Sequence, residues 1–233
     1  MTTTLNFLCA GASQGVVKAL APAFEQAHGV LLKGRFGAVG AMKEALLAGE
    51  PCDVMIVTDA MIDTLIESGD LRSGTRAPLG RVRTGVAVRR GEPVPAVDTA
   101  EALEAALSAA DAIYFPDPVR ATAGIHFADV MRRLGIHDAL LPRFKTYPAG
   151  AIAMRELAAT TAPRMIGCTQ VSEILYTEGV QLAGLLPSEF ELATIYTAAV
   201  SAKASQPELA ARFVAALTDA SSRALRTAGG IEP

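Results

Sequence analysis

Small polar residues collect where apolar runs give way to helical periodicity, a pattern suited to holding an anion. AGAS (10–13, with Ala12 and Ser13) follows LNFLC, GAVG (37–40, with Val39 and Gly40) follows VLLKGRF, and Thr58-Asp59 follows DVMIV. Farther on come DPVRATAG (117–124), YPAG (147–150) and Cys168-Thr169-Gln170. Each stands where a helix is expected to begin, so its N–H groups lack carbonyl partners at the positive end of the helix dipole. One such loop is an ordinary strand-to-helix turn. The set, spread over the whole chain, is the signal.

Several side chains in these loops have the right chemistry for ligand contacts. The Ser13 hydroxyl can point at a ligand or cap the helix that begins beside it. Thr58 shares that ambiguity, and Asp59 reads as a helix N-cap. Arg120, beside Thr122, Ala123 and Gly124, is shaped to grip a carboxylate through two parallel hydrogen bonds, or to stand in solvent. Ala149 and Thr169 complete the ligand set, with Ala12, Val39 and Gly40 contributing backbone. Lys43 and Arg155 read as exposed helix charges. Arg81, Arg83, Arg89 and Arg90 flank one strand, where Arg83 can face a ligand.

Bond-making chemistry has thinner support. Asp117, Tyr147 and Cys168 are the acid or base candidates, and the residues do not choose among them. His28 closes a helix, His126 lies on a helix surface and His137 sits in a loop. Cys9, Cys52 and Cys168 lack metal-ligand spacing and lie in apolar runs, as buried reduced thiols do. G-x-S-x-G, H-E-x-x-H and the P-loop pattern do not occur, so neither a metal nor a cofactor is expected.

The elements that position these loops alternate along the chain. Strands are expected at Leu5–Cys9, Val30–Phe36 and Asp53–Val57, and helices at Gly15–Ala27, Ala41–Ala48 and Ala60–Ser68. In the first helix Val16, Leu20 and Phe24 form a face at i, i+4 spacing. Residues 69–80 are turn-rich and precede a strand Val82–Val88. A second alternating block follows: helix Ala100–Ala109, strand Ala112–Phe115, helix Gly124–Leu134, strand Phe144–Tyr147, helix Ala149–Ala159, strand Met165–Cys168 and helix Val171–Thr177. Strands Val180–Leu185 and Thr194–Ser201 come next. Helices near Pro207–Leu217, with Ser205 as cap, and Ala220–Thr227 close the chain.

Alternation of this kind builds mainly parallel sheets covered by helices. The expectation is a two-lobed α/β protein with residues 1–80 and 198–233 in one lobe and 86–196 in the other. The chain crosses near 81–85 and 196–198, and a ligand would sit in the cleft between the lobes. The totals agree: 233 residues are 51% apolar and 19% charged, enough for two cores. A net charge of −3 and the absence of a basic stripe argue against nucleic acid. Trp is absent, which argues against a sugar site. No apolar run is long enough to span a membrane. As written, the N-terminus carries no leader, so a cytoplasmic protein is expected, or a periplasmic one if a leader has been removed.

Taken together, AGAS after the first strand, FGAVGAMKEALLAGEPCDVMIVTD and FPDPVRATAGIHFADVMRRLG give the chain a family resemblance. It resembles the molybdate-binding proteins, oxyanion receptors of bacterial importers with the type II periplasmic-binding-protein fold. The resemblance spans nearly the whole chain. It implies a small anionic ligand bound by hydroxyls and backbone N–H groups, with Ser13 and the Thr122–Gly124 loop in the site. It also implies an ABC transporter permease as partner if the protein is exported. Three positions depart from the family pattern: Ala38-Val39-Gly40 replaces a serine cluster, Pro148 replaces a residue with an N–H, and Cys168 replaces a tyrosine. Aconitate isomerase, a cofactor-free enzyme that shifts a proton within an unsaturated tricarboxylate, is similar to the same family. An isomerase of a polycarboxylate is therefore the alternative to a binding protein for an oxyanion or carboxylate.

Overall fold

The structure, a computed structural model, describes residues 3–232. They form two compact units, one of residues 3–82 with 194–232 and the other of 83–193. The first unit holds strands β1 (Thr3–Ala10), β2 (Val30–Gly37) and β3 (Val54–Thr58), with helices α1 (Gln14–His28), α2 (Val39–Leu47) and α3 (Asp59–Glu67) after them in turn. Strand β4 (Ala77–Arg89) leads out of this unit and β9 (Ala193–Val200) leads back, followed by α9 (Pro207–Thr218) and α10 (Arg223–Ala228). Within the first unit β1 lies between β2 and β3, parallel to both, and β9 runs antiparallel to β3.

The second unit repeats the plan: α4 (Ala100–Ala109), β5 (Ala112–Pro116), α5 (Thr122–Arg133), α6 (His137–Leu140), β6 (Phe144–Tyr147), α7 (Gly150–Ala159), β7 (Met165–Gln170), α8 (Val171–Tyr176) and β8 (Val180–Leu185). Here β5 is parallel to both β6 and β7, while β4 pairs antiparallel with β7 and β8. Each unit thus has three adjacent parallel strands with antiparallel neighbours.

Apolar burial explains the units. In the first, Leu5, Leu8, Met55, Ile56, Ile62, Leu65 and Phe213 are fully buried, and the Phe213 ring packs 4.9 Å from that of Phe24. In the second, Leu103, Leu107, Phe115, Phe127 and Val130 form one cluster, and Met154, Leu157 and Ile174 a smaller one. Each such side chain contributes about 1.5–3 kcal/mol when fully buried.

Buried polar groups tie the first unit's ends together. The Asp53 carboxylate, 2% exposed, accepts hydrogen bonds from the Asn6 N–H (2.7 Å), the Ser205 N–H (2.6 Å), the Ser205 hydroxyl (2.9 Å) and the Gln206 N–H (3.2 Å). It joins β1 to the start of α9. The expected Ser205 cap is corrected accordingly: Gln206 occupies the N-cap position of α9, and the Ser205 hydroxyl is turned onto Asp53. At the other end of that helix the buried Arg226 guanidinium donates to the carbonyls of Thr218 (3.1 Å), Asp219 (2.9 Å) and Leu79. A cation on these last carbonyls also complements the helix dipole.

Two further expectations are corrected. β4 begins at Ala77, not Val82, because Arg81 exchanges backbone hydrogen bonds with Glu232 (2.6 and 2.8 Å), a pairing distant in sequence that overrides local turn chemistry. His137 opens the short helix α6 and does not lie in a loop. Its ring packs edge-on against Phe144 with 5.5 Å between centroids.

Candidate functional site

Parallel neighbours bring their carboxyl ends to one edge of a sheet, and ligands of α/β folds bind there. In the first unit that edge gathers Ala12 and Ser13 after β1, Val39 and Gly40 after β2, and Thr58 at the end of β3. In the second it gathers Asp117, Arg120 and Thr122–Gly124 after β5, Tyr147 and Ala149 after β6, and Thr169 at the end of β7. The expected site residues therefore fall into two groups, one in each unit, each on a single sheet edge.

Ser13 is the most informative residue in the first group. It is fully buried, and its side chain makes no capping bond to α1. Its Oγ has no hydrogen-bond partner. Leaving a buried hydroxyl unsatisfied costs about 1–3 kcal/mol, so such an atom calls for an explanation. Thr58 is the N-cap residue of α3, also without a side-chain capping bond. Asp59 is not the N-cap expected for it. It is the first residue of the helix, where its carboxylate accepts from the Thr197 hydroxyl (2.6 Å) and pairs with Arg76.

In the second unit, Asp117 organises the DPVR turn. Its Oδ1 accepts from the N–H groups of Val119 (2.7 Å) and Arg120 (3.1 Å), which sets the backbone from which Arg120 projects. Gly124 lets α5 start directly against β5: a Cβ there would lie 2.2 Å from the Asp117 carbonyl oxygen and 2.3 Å from that of Pro116. Tyr147 stacks on Tyr114 with 6.0 Å between centroids, and desolvation raises its phenol above the ordinary value. Cys168 is buried in the cluster around Phe115 and Ile166, where desolvation pushes its thiol far up. His126 is held through Nε2 at 2.7 Å from the Phe190 carbonyl.

The end of β7 carries a polar cluster that reaches beyond the sequence expectation. Thr169, Gln170, Ser172, Glu173 and Thr177 are all buried, and so is Thr84, which sits opposite Gln170 in the β4–β7 pair. The Glu173 carboxyl accepts from the Thr169 hydroxyl (2.5 Å) and the Ala151 N–H (3.2 Å), so it lies on the first turn of α7. Desolvation raises its pKa, although those donors and the N–H groups of Gly150 and Gln170 pull the other way. The Ser172 Oγ and Thr84 Oγ1 are buried without partners, as Ser13 Oγ is. Sequence reasoning stopped at Gln170 and missed Ser172, Glu173 and Thr84. Three polar residues within four positions (170, 172 and 173), straight after an apolar strand, were the available signal for the first two.

Among the described residues no helix is long and apolar enough to cross a membrane, and no group of three or more His, Cys, Asp or Glu residues is placed to hold a metal.

Two α/β units, each with small polar loops at the carboxyl ends of its parallel strands, define the periplasmic-binding-protein class of fold. Residues 5–232 match the family of bacterial extracellular solute-binding proteins, and the chain belongs to that family. The periplasmic molybdate-binding protein of Azotobacter vinelandii superposes with a TM-score of 0.81 at 18% identity, covering 98% of this chain and 99% of that one. The sulfate-binding protein of Mycobacterium tuberculosis superposes with a TM-score of 0.75 at 18% identity, covering 99% and 87%. In sequence the chain is 28% identical over 217 residues to an aconitate isomerase of a Pseudomonas species, covering 89% of this chain and 79% of that enzyme.

Proposed function

We propose that the chain binds a small anion, with carboxylates preferred over tetrahedral metal oxyanions, at the sheet edge where its small polar loops gather. The observation that carries this reading is the buried, unpartnered Ser13 hydroxyl at the carboxyl end of β1. A ligand oxygen there would supply the missing partner. Thr58 and the starts of α1 and α2 would add hydroxyl and N–H donors from the first lobe. Thr84, Ser172 and the Thr122–Gly124 turn offer the same kinds of donor in the second unit. Arg120 would grip one carboxylate with its planar guanidinium. The start of α7 offers less to an oxyanion, because Glu173 already occupies its N–H groups. That is the main reason to favour carboxylates over molybdate. By kinship with its family the protein would work outside the cytoplasm and deliver its ligand to an importer permease.

The test is a thermal-shift screen against molybdate, tungstate, sulfate, phosphate and a set of di- and tricarboxylates. Binding to the native state alone raises the melting temperature with the logarithm of ligand concentration over Kd. The largest shift is expected with a carboxylate. A large shift confined to molybdate and tungstate would replace this reading with that of an oxyanion receptor.

A second reading is favoured by the aconitate isomerase relative: the same site would catalyse a cofactor-free 1,3-proton shift in an unsaturated polycarboxylate. Proton NMR of trans-aconitate incubated with the protein tests it. Appearance of the cis isomer is the expected result, and an unchanged spectrum at high enzyme concentration would remove it.

A further inference from the structure

Glu173 is a carboxyl group with no counter-ion. It is 5% exposed, and among the described residues no ion pair reaches it. Its bonds come from a neutral hydroxyl, Thr169, and from the start of α7. Ala151 donates to Oε1 and Thr169 to Oε2, so both oxygens accept from neutral groups and no cation offsets the cost of burying the charge. Space has been cleared for it as well. A Cβ on Gly150 would lie 2.0 Å from both Glu173 Oε2 and Thr169 Oγ1, so any side chain at that position would displace the pair.

The surroundings point to a ligand. Ser172, the preceding residue, and Thr84, opposite Gln170 in the β4–β7 pair, bury hydroxyls that have no partner. The cluster stands at the carboxyl end of β7, on the same sheet edge as Arg120 and the Thr122–Gly124 turn. Of the acid or base candidates read from the sequence, Cys168 is poorly suited, because its thiol is buried among apolar side chains.

We propose that Glu173 carries the proton in the 1,3-shift, a role that rests on the isomerase reading above. The Glu173 carboxylate takes a proton from the methylene carbon next to the double bond. The C–H electron pair becomes the new C=C bond, and the pair of the old C=C bond moves to its far carbon. That carbon takes the proton back from Glu173, which returns to the carboxylate. Protons and electrons balance, and no oxidant, metal or cofactor enters. A carboxylate kept more basic by burial is the better base for such a carbon acid, in line with its raised pKa.

The experiment compares wild type, Glu173→Gln and Glu173→Asp in D2O with trans-aconitate, following cis-isomer formation and deuterium entry at the methylene position by NMR. Ligand binding is measured separately by thermal shift. General acid–base catalysis contributes roughly 10²–10⁴-fold, so Glu173→Gln is expected to lose at least about a hundredfold in both rates while keeping its ligand-induced shift. Glu173→Asp, whose carboxyl is withdrawn by one methylene, is expected to lose at least tenfold, and it decides the matter if the Gln variant does not fold. Wild-type rates in either folded variant would overturn the role of Glu173 and leave the isomerase reading standing. A wild type that neither isomerises nor exchanges would overturn the isomerase reading, and this role with it.

Discussion

Replacing Ser13 by alanine should move stability and binding in opposite directions. The Ser13 hydroxyl is fully buried at the end of β1 and makes no hydrogen bond, neither as a cap on α1 nor with any neighbour. An unsatisfied buried hydroxyl costs about 1–3 kcal/mol, and Ser13→Ala removes that cost while leaving a methyl group in nearly the same volume. The ligand-free variant should therefore be more stable by about 1 kcal/mol, or about 2–4 °C in Tm for a chain of this size. With ligand present the hydroxyl has a partner. A hydrogen bond to a charged group contributes about 1.5–3 kcal/mol, so its loss should weaken binding about tenfold to 150-fold. Differential scanning fluorimetry with and without carboxylate reads both effects in one plate. A variant that is several degrees less stable without ligand, yet shows an unchanged ligand shift, would refute the reasoning and make Ser13 a structural residue.

Further outcomes follow from the same geometry. Asp53→Ala leaves several N–H donors without their acceptor and should cost about 3–5 kcal/mol, read as a lower urea midpoint at constant slope. For Glu173, burial raises the folded-state pKa above the unfolded value, so the folded protein binds this proton more tightly. Its contribution to stability is then fully present below the unfolded pKa, near 4.5, and is lost as pH rises through the folded value. Wild type should lose stability relative to Glu173→Gln as pH rises across that window, and parallel pH profiles of urea midpoints would contradict the assignment. Cys9, Cys52 and Cys168 are buried, with the Cys52 thiol pushed up to about 12 by desolvation, so a thiol-reactive dye at pH 8 should label them only after unfolding. Rapid labelling of the native protein would contradict their placement.

The strand-and-helix alternation was legible because parallel βα units write their period locally: apolar runs such as LNFLCA and VMIV, each followed by a small polar loop. The same locality made the sheet-edge loops readable, since the carboxyl end of a strand lies beside the helix that follows it. Features that depend on distant partners were not legible. Ala77–Arg81 reads as a turn until Glu232 pairs with Arg81. Ser205 reads as a cap until Asp53 draws its hydroxyl away. Glu173 looks like any acidic residue in the first turn of a helix. What sets it apart is its burial against Gly150 and Ala151, more than twenty residues earlier in the chain, and no local pattern encodes that contact. Thr84 is likewise an ordinary strand residue until its hydroxyl is found without a partner.

The most direct test of the central claim, that a small carboxylate ligand is held by the buried hydroxyls that lack a protein partner, is isothermal titration of trans-aconitate into wild type, Ser13→Ala and Ser172→Ala. One substitution lies in each unit, and each removes a buried hydroxyl that lacks a protein partner. The account predicts a single binding site per chain, with affinity reduced tenfold or more by each substitution. Wild-type affinity in either variant would mean that its hydroxyl does not touch the ligand, and would contradict that claim.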